Sequence, residues 1–520
     1  MRIVHVNLMN YSAFPALVIL FLAEISSAST WYVDKTATGA NNGSSWTDAW
    51  TDLGSVTGVS PSDTVYISGG TTSQTYSASG WTPKPAKYQT GQDTGHNGMV
   101  ILDGGGGEYL ITPKSKTTLS GFVTGSSLPH MQFQNAWDAH VFVNSGSVDK
   151  LHISYVNDPK HNRFLFCANN ANVTDIEIDH CTLHKVYGGR AGALDDTFYL
   201  GGSSGGRFHD NLIESPVCST LTPYGADVWK WGDGYSVYNN HVRIYLDPSY
   251  PGVPGQQHAD IFQTSGSNIA IYNNWFENIG ESVFFHNNNG SSSGNFTNIL
   301  CYNNVITQSF PASISQVARG LDFEPQDSQK QDTFTNVLVA NNLFQVPTLF
   351  TMRFHQAVRW THCRVCNNIY YECNDPSQSS WDSTAQHQIA VDHNSIASAS
   401  WFVNAAAGDF HPAMRSPAMA AGVALAHFNS DKDGVFRPAS WSRGPYETAS
   451  NRVPRDPRIR ASRQSTGGSR GGLPRAPART LRKPAHETPQ GGHRPNLPWL
   501  YAFQFDFWIP LTANPLPPPG

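Results

Sequence analysis

Apolar and polar residues alternate in short runs through the middle of this chain, and the runs end alike. Ser236-Val237-Tyr238 is followed by Asn239-Asn240, Ala270-Ile271-Tyr272 by Asn273-Asn274, and Leu300-Cys301-Tyr302 by Asn303-Asn304. Leu338-Val339-Ala340 runs into Asn341-Asn342 and Arg364-Val365-Cys366 into Asn367-Asn368, while an earlier copy ends in Asp210-Asn211. Alternation with period two predicts strands. The distance between successive pairs, about 26 to 38 residues, suits the coils of a solenoid whose loops vary in length. A second set of segments superimposes in the same stretch: Asp196-Thr197-Phe198-Tyr199, Asp227-Val228-Trp229-Lys230 and Asp260-Ile261-Phe262-Gln263. Such a coil cannot bury its apolar face alone, so coils stack and share one core. The expected fold class is all-β, a parallel β-helix in which equivalent asparagines of successive coils bond in a ladder. An antiparallel sandwich or propeller with turn-forming Asn pairs is the alternative, and the regular seat of the pairs at strand ends speaks against it.

The ends of the chain sharpen the picture. Near the N-terminus stand Trp31-Tyr32-Val33-Asp34, then Asn41-Asn42-Gly43-Ser44-Ser45-Trp46 and the string SDTVYISGGTTSQTYS; between residues 402 and 447 come FVNAAAGDFHPAMRSPAMAAGVAL, DKDGVFRP and Gly444-Pro445-Tyr446-Glu447. These strings resemble the entry and closing segments of secreted right-handed parallel β-helix proteins of the pectate-lyase-like superfamily. The resemblance covers about residues 30–447 and implies the right-handed form of the fold. It speaks weakly to activity, because this fold hosts lyases, hydrolases, epimerases and non-catalytic proteins.

The expected organisation is a signal peptide over 1–28, a β-helix domain over 29–447 and a disordered tail over 448–520. Within the β-helix the cap and first coils occupy about 29–130, the central coils about 131–400 and the closing segment 401–447. The signal rests on Arg2, the apolar run Ala13 to Ala23 and the small residues Ser26-Ser27-Ala28. It implies a secreted or extracytoplasmic protein, with no membrane span after cleavage. The tail is rich in Arg, Pro and Gly and has no hydrophobic period. It holds about 11 basic and 3 acidic groups, a charge of about +8 against −5 for the whole chain, which leaves the rest at about −13. An acidic, exported body excludes a nucleic-acid role, and a monomer is expected. Seven cysteines at irregular spacing describe no disulfide framework. Cys363-x-x-Cys366 with Cys373 looks like a zinc half-site, whereas Cys301 falls at an inward strand position.

Candidate chemistry follows from stacking. Copies of one strand lie about 4.8 Å apart in a parallel sheet, so Asp196, Asp227 and Asp260 fall in one column, which Glu281 extends. Phe198, Trp229 and Phe262 are expected to point inward as an aromatic stack, with Tyr199, Lys230 and Gln263 outward beside the acids. Like charges so close require a proton or a cation between them. Calcium-dependent pectate lyases use this type of site, so the resemblance implies Ca²⁺ on Asp196, Asp227, Asp260 and Glu281. Lys230 is then the base that removes a proton from a uronate, provided its pKa is depressed. The expected function is β-elimination on a uronate-containing polysaccharide. Glycoside hydrolysis by the Asp column and a non-catalytic glycan-binding protein are the alternatives. Asp227, Asp260 and His258 join Lys230 as catalytic candidates, with Tyr199, Gln263, His286 and Trp231 as substrate contacts. Each Asp alone also suits a turn cap.

Overall fold

The computed structural model describes residues 27–143, 146–161, 163–168, 171–185, 196–201, 203–217, 227–230, 232–246, 260–264, 266–277, 281–287, 294–308, 319–325, 332–347, 350–354, 359–373 and 381–447. Residues 1–26 of the expected signal segment, the tail 448–520, His258 and Trp231 lie outside them. Among the described residues, no helix is long and apolar enough to cross a membrane.

The chain is the right-handed parallel β-helix that the repeat and its resemblance imply. Three parallel sheets run along the stack, of 14, 12 and 9 strands among the described residues. The central coils contribute one strand to each sheet in turn. In the first sheet Ser147–Ser154, Asn172–Asp179, Ser203–His209 and Asp233–Tyr238 follow one another, and the series continues to Ile389–Asp392. The inward column of this sheet runs Ile153, Ile178, Phe208, Val237, Ile271, Cys301 and Val339 in strict register. All seven are buried, which is why the sequence alternates. Cys301 packs there as a small apolar side chain.

The Asn pairs divide their labour. The first member takes a left-handed backbone, with φ of 56° at Asp210, 57° at Asn239, 58° at Asn273 and 54° at Asn341. Asn and Asp tolerate that region because their short polar side chains bond locally. The second member is buried and forms the expected ladder. Asn211 Nδ2 donates to Asn240 Oδ1 at 3.0 Å, Asn240 to Asn274 at 3.0 Å, Asn274 to Asn304 at 3.1 Å and Asn304 to Asn342 at 3.0 Å. The ladder continues through Asn368 to Asn394. The sequence reading missed a second left-handed column in the same sheet, at Lys150, Asp175, Gly205, Gly234, Asn268, Asn298, Asn336 and His362. Pairing skips the six that lie within strands and resumes at the same offset beyond them.

The closing segment folds back on the last coils. Arg437, fully buried, donates to Glu447 Oε1 at 2.7 Å and to Asn303 Oδ1 at 2.8 Å. Glu447 also accepts from Ser442 N and Oγ. The strings DKDGVFRP and GPYE are therefore two halves of one clasp. The six described cysteines are free thiols. Cys363 and Cys366 stand three apart on one strand, so they face opposite sides. Cys363 lies in the main core and Cys366 in a separate cluster with Leu338 and Ala340, and the zinc half-site is not formed.

Candidate functional site

The third sheet sets the candidate site. Phe198 pairs with Trp229 and Trp229 with Phe262, while Tyr199 pairs with Lys230 and Lys230 with Gln263. Counting back two residues places Asp196, Asp227 and Asp260 on three successive rungs. Asp260 in turn pairs with Glu281. Backbone bonds hold the column: Thr197 N donates to Asp227 O and Val228 N to Asp260 O, both at 3.0 Å. Phe198, Trp229 and Phe262 are buried and stacked, with ring centroids 5.3 and 4.8 Å apart. That stack fixes the strand register and therefore the outer residues between its rings.

The outward column is Tyr199, Lys230 and Gln263, all half-buried. Lys230 Nζ lies 3.2 Å from Asp227 Oδ2, three residues before it, and 3.8 Å from Asp196 Oδ1 on the preceding rung. All three aspartates are buried, and Asp227 Oδ1 has no hydrogen-bond partner among the described residues. Burial pulls the Lys230 pKa down, but Asp196, Asp227 and Asp260 outweigh it and hold the ammonium well above the usual lysine range. The depressed amine expected from the sequence is thus corrected. The carboxylates that crowd the site already have a counter-ion, and it is Lys230.

Glu281 and His286 belong to the next strand, Glu281–Asn287, where Glu281 continues the acidic column and His286 pairs with Glu324. In register, Gln263 is followed by positions 284, 322 and 353, and the buried Asp322 carboxylate is paired with the Arg353 guanidinium at 3.3 Å. At the other end Arg163 donates to Asp138 and lies over the Phe164 ring, with Tyr109 stacked on Phe142 close by. Arg353, Arg163 and Asp138 escape a sequence reading because their coils lack the Asp-x-aromatic spelling; extending the register from Tyr199 would have reached Arg353.

No protein-family model matches the chain, and no curated protein sequence matches it. Among solved structures it is similar to pectate lyase Pel9A, with 15% identity, 82% of this chain and 98% of that chain covered and a TM-score of 0.40. It is also similar to a GH136 lacto-N-biosidase from Eubacterium ramulus, with 11% identity, 71% and 68% covered and a TM-score of 0.32. Likeness at this level concerns architecture only. The parallel β-helix is the fold of this chain, and its chemistry has to be argued from its own residues.

Proposed function

We propose that this chain is a secreted carbohydrate-active protein, a polysaccharide lyase that cleaves a uronate-containing polymer by β-elimination on the outer face of the third sheet. The observation that carries the reading is the Lys230 ammonium seated between Asp227 and Asp196, in register with Asp260. Carboxylate oxygens are the donors a hard cation takes, and the unbonded Asp227 Oδ1 fits that use. Asp196, Asp227, Asp260 and the Glu281 position would hold Ca²⁺, which when bound neutralises the uronate carboxylate and acidifies the neighbouring C5–H. Lys230 Nζ takes that proton as a neutral amine. The electron pair left on C5 forms the C4–C5 double bond, the C4–O bond breaks, and the leaving oxygen takes a proton from solvent. Lys230 is neutral only when its two aspartates are engaged elsewhere, so the ion pair ties the base to occupancy of the column. Tyr199 and Gln263, one rung to either side, are substrate contacts in this reading.

The firm protonation of Lys230 favours a second reading, glycoside hydrolysis. Carboxylates one rung apart, about 4.8 Å, sit near the retaining separation of about 5–5.5 Å, and a fixed ammonium would keep them ionised. One experiment separates the readings. The full chain is incubated with a panel of uronate and neutral polysaccharides, with Ca²⁺ or a chelator, while the ultraviolet absorbance of an unsaturated uronate and new reducing ends are followed. Ca²⁺-dependent absorbance that Lys230→Ala abolishes supports the lyase. Reducing ends without absorbance, lost in Asp227→Asn and kept in Lys230→Ala, support the hydrolase. Silence in both assays leaves a glycan-binding protein.

A further inference from the structure

The outer face of the first sheet carries a cluster that the proposed reaction does not use. On three adjacent rungs, His152 pairs in register with Glu177, and Asp179 with His209. His180 and Asp210 occupy the left-handed bends that follow these strands, with φ of 53° and 56°. Asp179 meets His152 Nε2 at 2.5 Å and His180 Nδ1 at 2.6 Å. Glu177 Oε1 meets His209 Nε2 at 3.2 Å, and His209 Nδ1 faces Asp210 Oδ2 at 2.8 Å. One ligand atom each from His180, His209 and Asp210 can be chosen so that all three lie within 4.8 Å of one another.

This is the donor chemistry of a borderline-soft cation. A ring held by a carboxylate at one nitrogen presents the other as a ligand, and such carboxylates fix the tautomer and raise basicity. Asp179 holds His180 Nδ1, which leaves Nε2 of that ring. Glu177 holds His209 Nε2, which leaves Nδ1 beside the Asp210 carboxylate. Tetrahedral zinc with ligand bonds of about 2.0–2.1 Å places its ligand atoms roughly 3.4 Å apart, inside the 4.8 Å span that the three residues offer. The His180 side chain is 42% exposed, and its ring stacks on Tyr155 with centroids 4.6 Å apart. The His209 ring is backed by Tyr238, with centroids 4.6 Å apart and planes 8° off parallel.

We propose that these three rungs form a binding site for a divalent transition cation of the zinc type, with His180, His209 and Asp210 as ligands and Asp179 and Glu177 orienting the two rings. The cation staples successive coils together at their bends, on a different sheet from the Asp column. Nitrogen donors separate the two sites chemically, because Ca²⁺ takes oxygen ligands and zinc accepts imidazole.

The test uses the untagged full chain, stripped with chelator and titrated with Zn²⁺ by equilibrium dialysis and metal analysis. Variants borrow the residues that neighbouring rungs use at the same place, so the fold tolerates them. His180→Asn copies the bend at Asn239, and His209→Tyr copies Tyr238. His393→Asn, at the same bend of the last first-sheet rung, and His152→Ala are controls. The expected result is one tightly bound Zn²⁺ per chain, unaffected by excess Ca²⁺. Affinity should fall at least about tenfold in His180→Asn and His209→Tyr and stay unchanged in the controls. Zn²⁺ should raise the melting temperature of the parent and of His393→Asn only slightly less, but not that of His209→Tyr. Binding no tighter in the parent than in His209→Tyr overturns the proposal, as does loss of binding in His152→Ala with retention in His180→Asn.

Discussion

At the scale of single residues, two charge clusters on different sheets show how neighbours on other rungs decide what a side chain does. Lys230 is the clearer case. Its folded pKa is raised, so the ion pair adds stability that is complete below the ordinary lysine pKa and is lost only as pH climbs through the folded value. If Lys230 is the base, elimination should accelerate toward alkaline pH, and Lys230→Ala should lower the rate at least about 100-fold. A rate flat in that range would sink the lyase reading. The His cluster adds a prediction in a lower pH range. Burial disfavours a charged His209, but Asp210 and Glu177 prevail and raise its pKa. Glu177, bonded first to Arg207, falls to about 2. The His209 contribution is complete below the ordinary histidine pKa and fades as pH rises through the folded one. The Glu177 contribution is complete above the ordinary glutamate pKa and fades as pH falls toward about 2. Metal-free protein should therefore lose thermal stability between weakly acid and weakly alkaline pH, and His209→Tyr should flatten that slope in a melting-temperature series. The Asp column is legible in the sequence because its three copies share one local spelling, Asp-x-aromatic. The charge state of Lys230 is not, since Asp196 reaches it from another coil. His152, His180 and His209 read as unrelated polar positions until register brings them together.

At the scale of the element, the paired asparagines show what a repeat specifies and what it leaves to geometry. The pair is visible in the sequence; which member bends the chain and which enters the ladder is not, because both are asparagine. The two roles predict different costs. Asn304 makes four ladder bonds: Nδ2 donates to Ile271 O at 2.9 Å and to Asn342 Oδ1 at 3.0 Å, while Oδ1 accepts from Asn274 N at 3.0 Å and Nδ2 at 3.1 Å. Asn304→Ala leaves these partners buried without replacement and should cost about 3 kcal/mol. Asn304→Asp should be as damaging, because a carboxylate cannot donate to Ile271 O. Asn239, by contrast, contributes its left-handed backbone. Asn239→Gly should change stability by less than about 0.5 kcal/mol, while Asn239→Val should cost about 1–2 kcal/mol. Denaturant unfolding of the four variants checks the assignment, and equal losses at the two positions would refute it. The left-handed column from Lys150 to His362 stays hidden in the sequence for a related reason. Its members include Lys, Asp, Gly, Asn and His, which share a backbone conformation and no pattern of hydropathy.

At the scale of the whole molecule, a solenoid is held by contacts between adjacent rungs, so its ends decide where unfolding starts. The C-terminal end is closed by a polar device. Arg437 has no exposure, and its guanidinium is divided among Glu447, Ser442 O, Gly444 O and the Asn303 side chain of an earlier coil. Lys432 donates to Asn273 O, and Asn341 Nδ2 donates to Ser442 O at 3.0 Å and Gly444 O at 3.1 Å. The left-handed asparagines that turn each coil thus also anchor the segment that covers them. Removing one partner of a buried ion pair leaves the other uncompensated, at a cost of about 3–5 kcal/mol. Glu447→Gln should therefore detach the closing segment. In a rung-by-rung structure the loss should stay local. Amide exchange should quicken first in Ile389–Asp392 and Cys363–Cys366, which stand at the end of the first sheet. Thr64–Ile67, near the opposite end, should keep its protection. Exchange that rises equally at both ends would mean that the stack unfolds as one cooperative unit and that the clasp stabilises the molecule without acting as its cap.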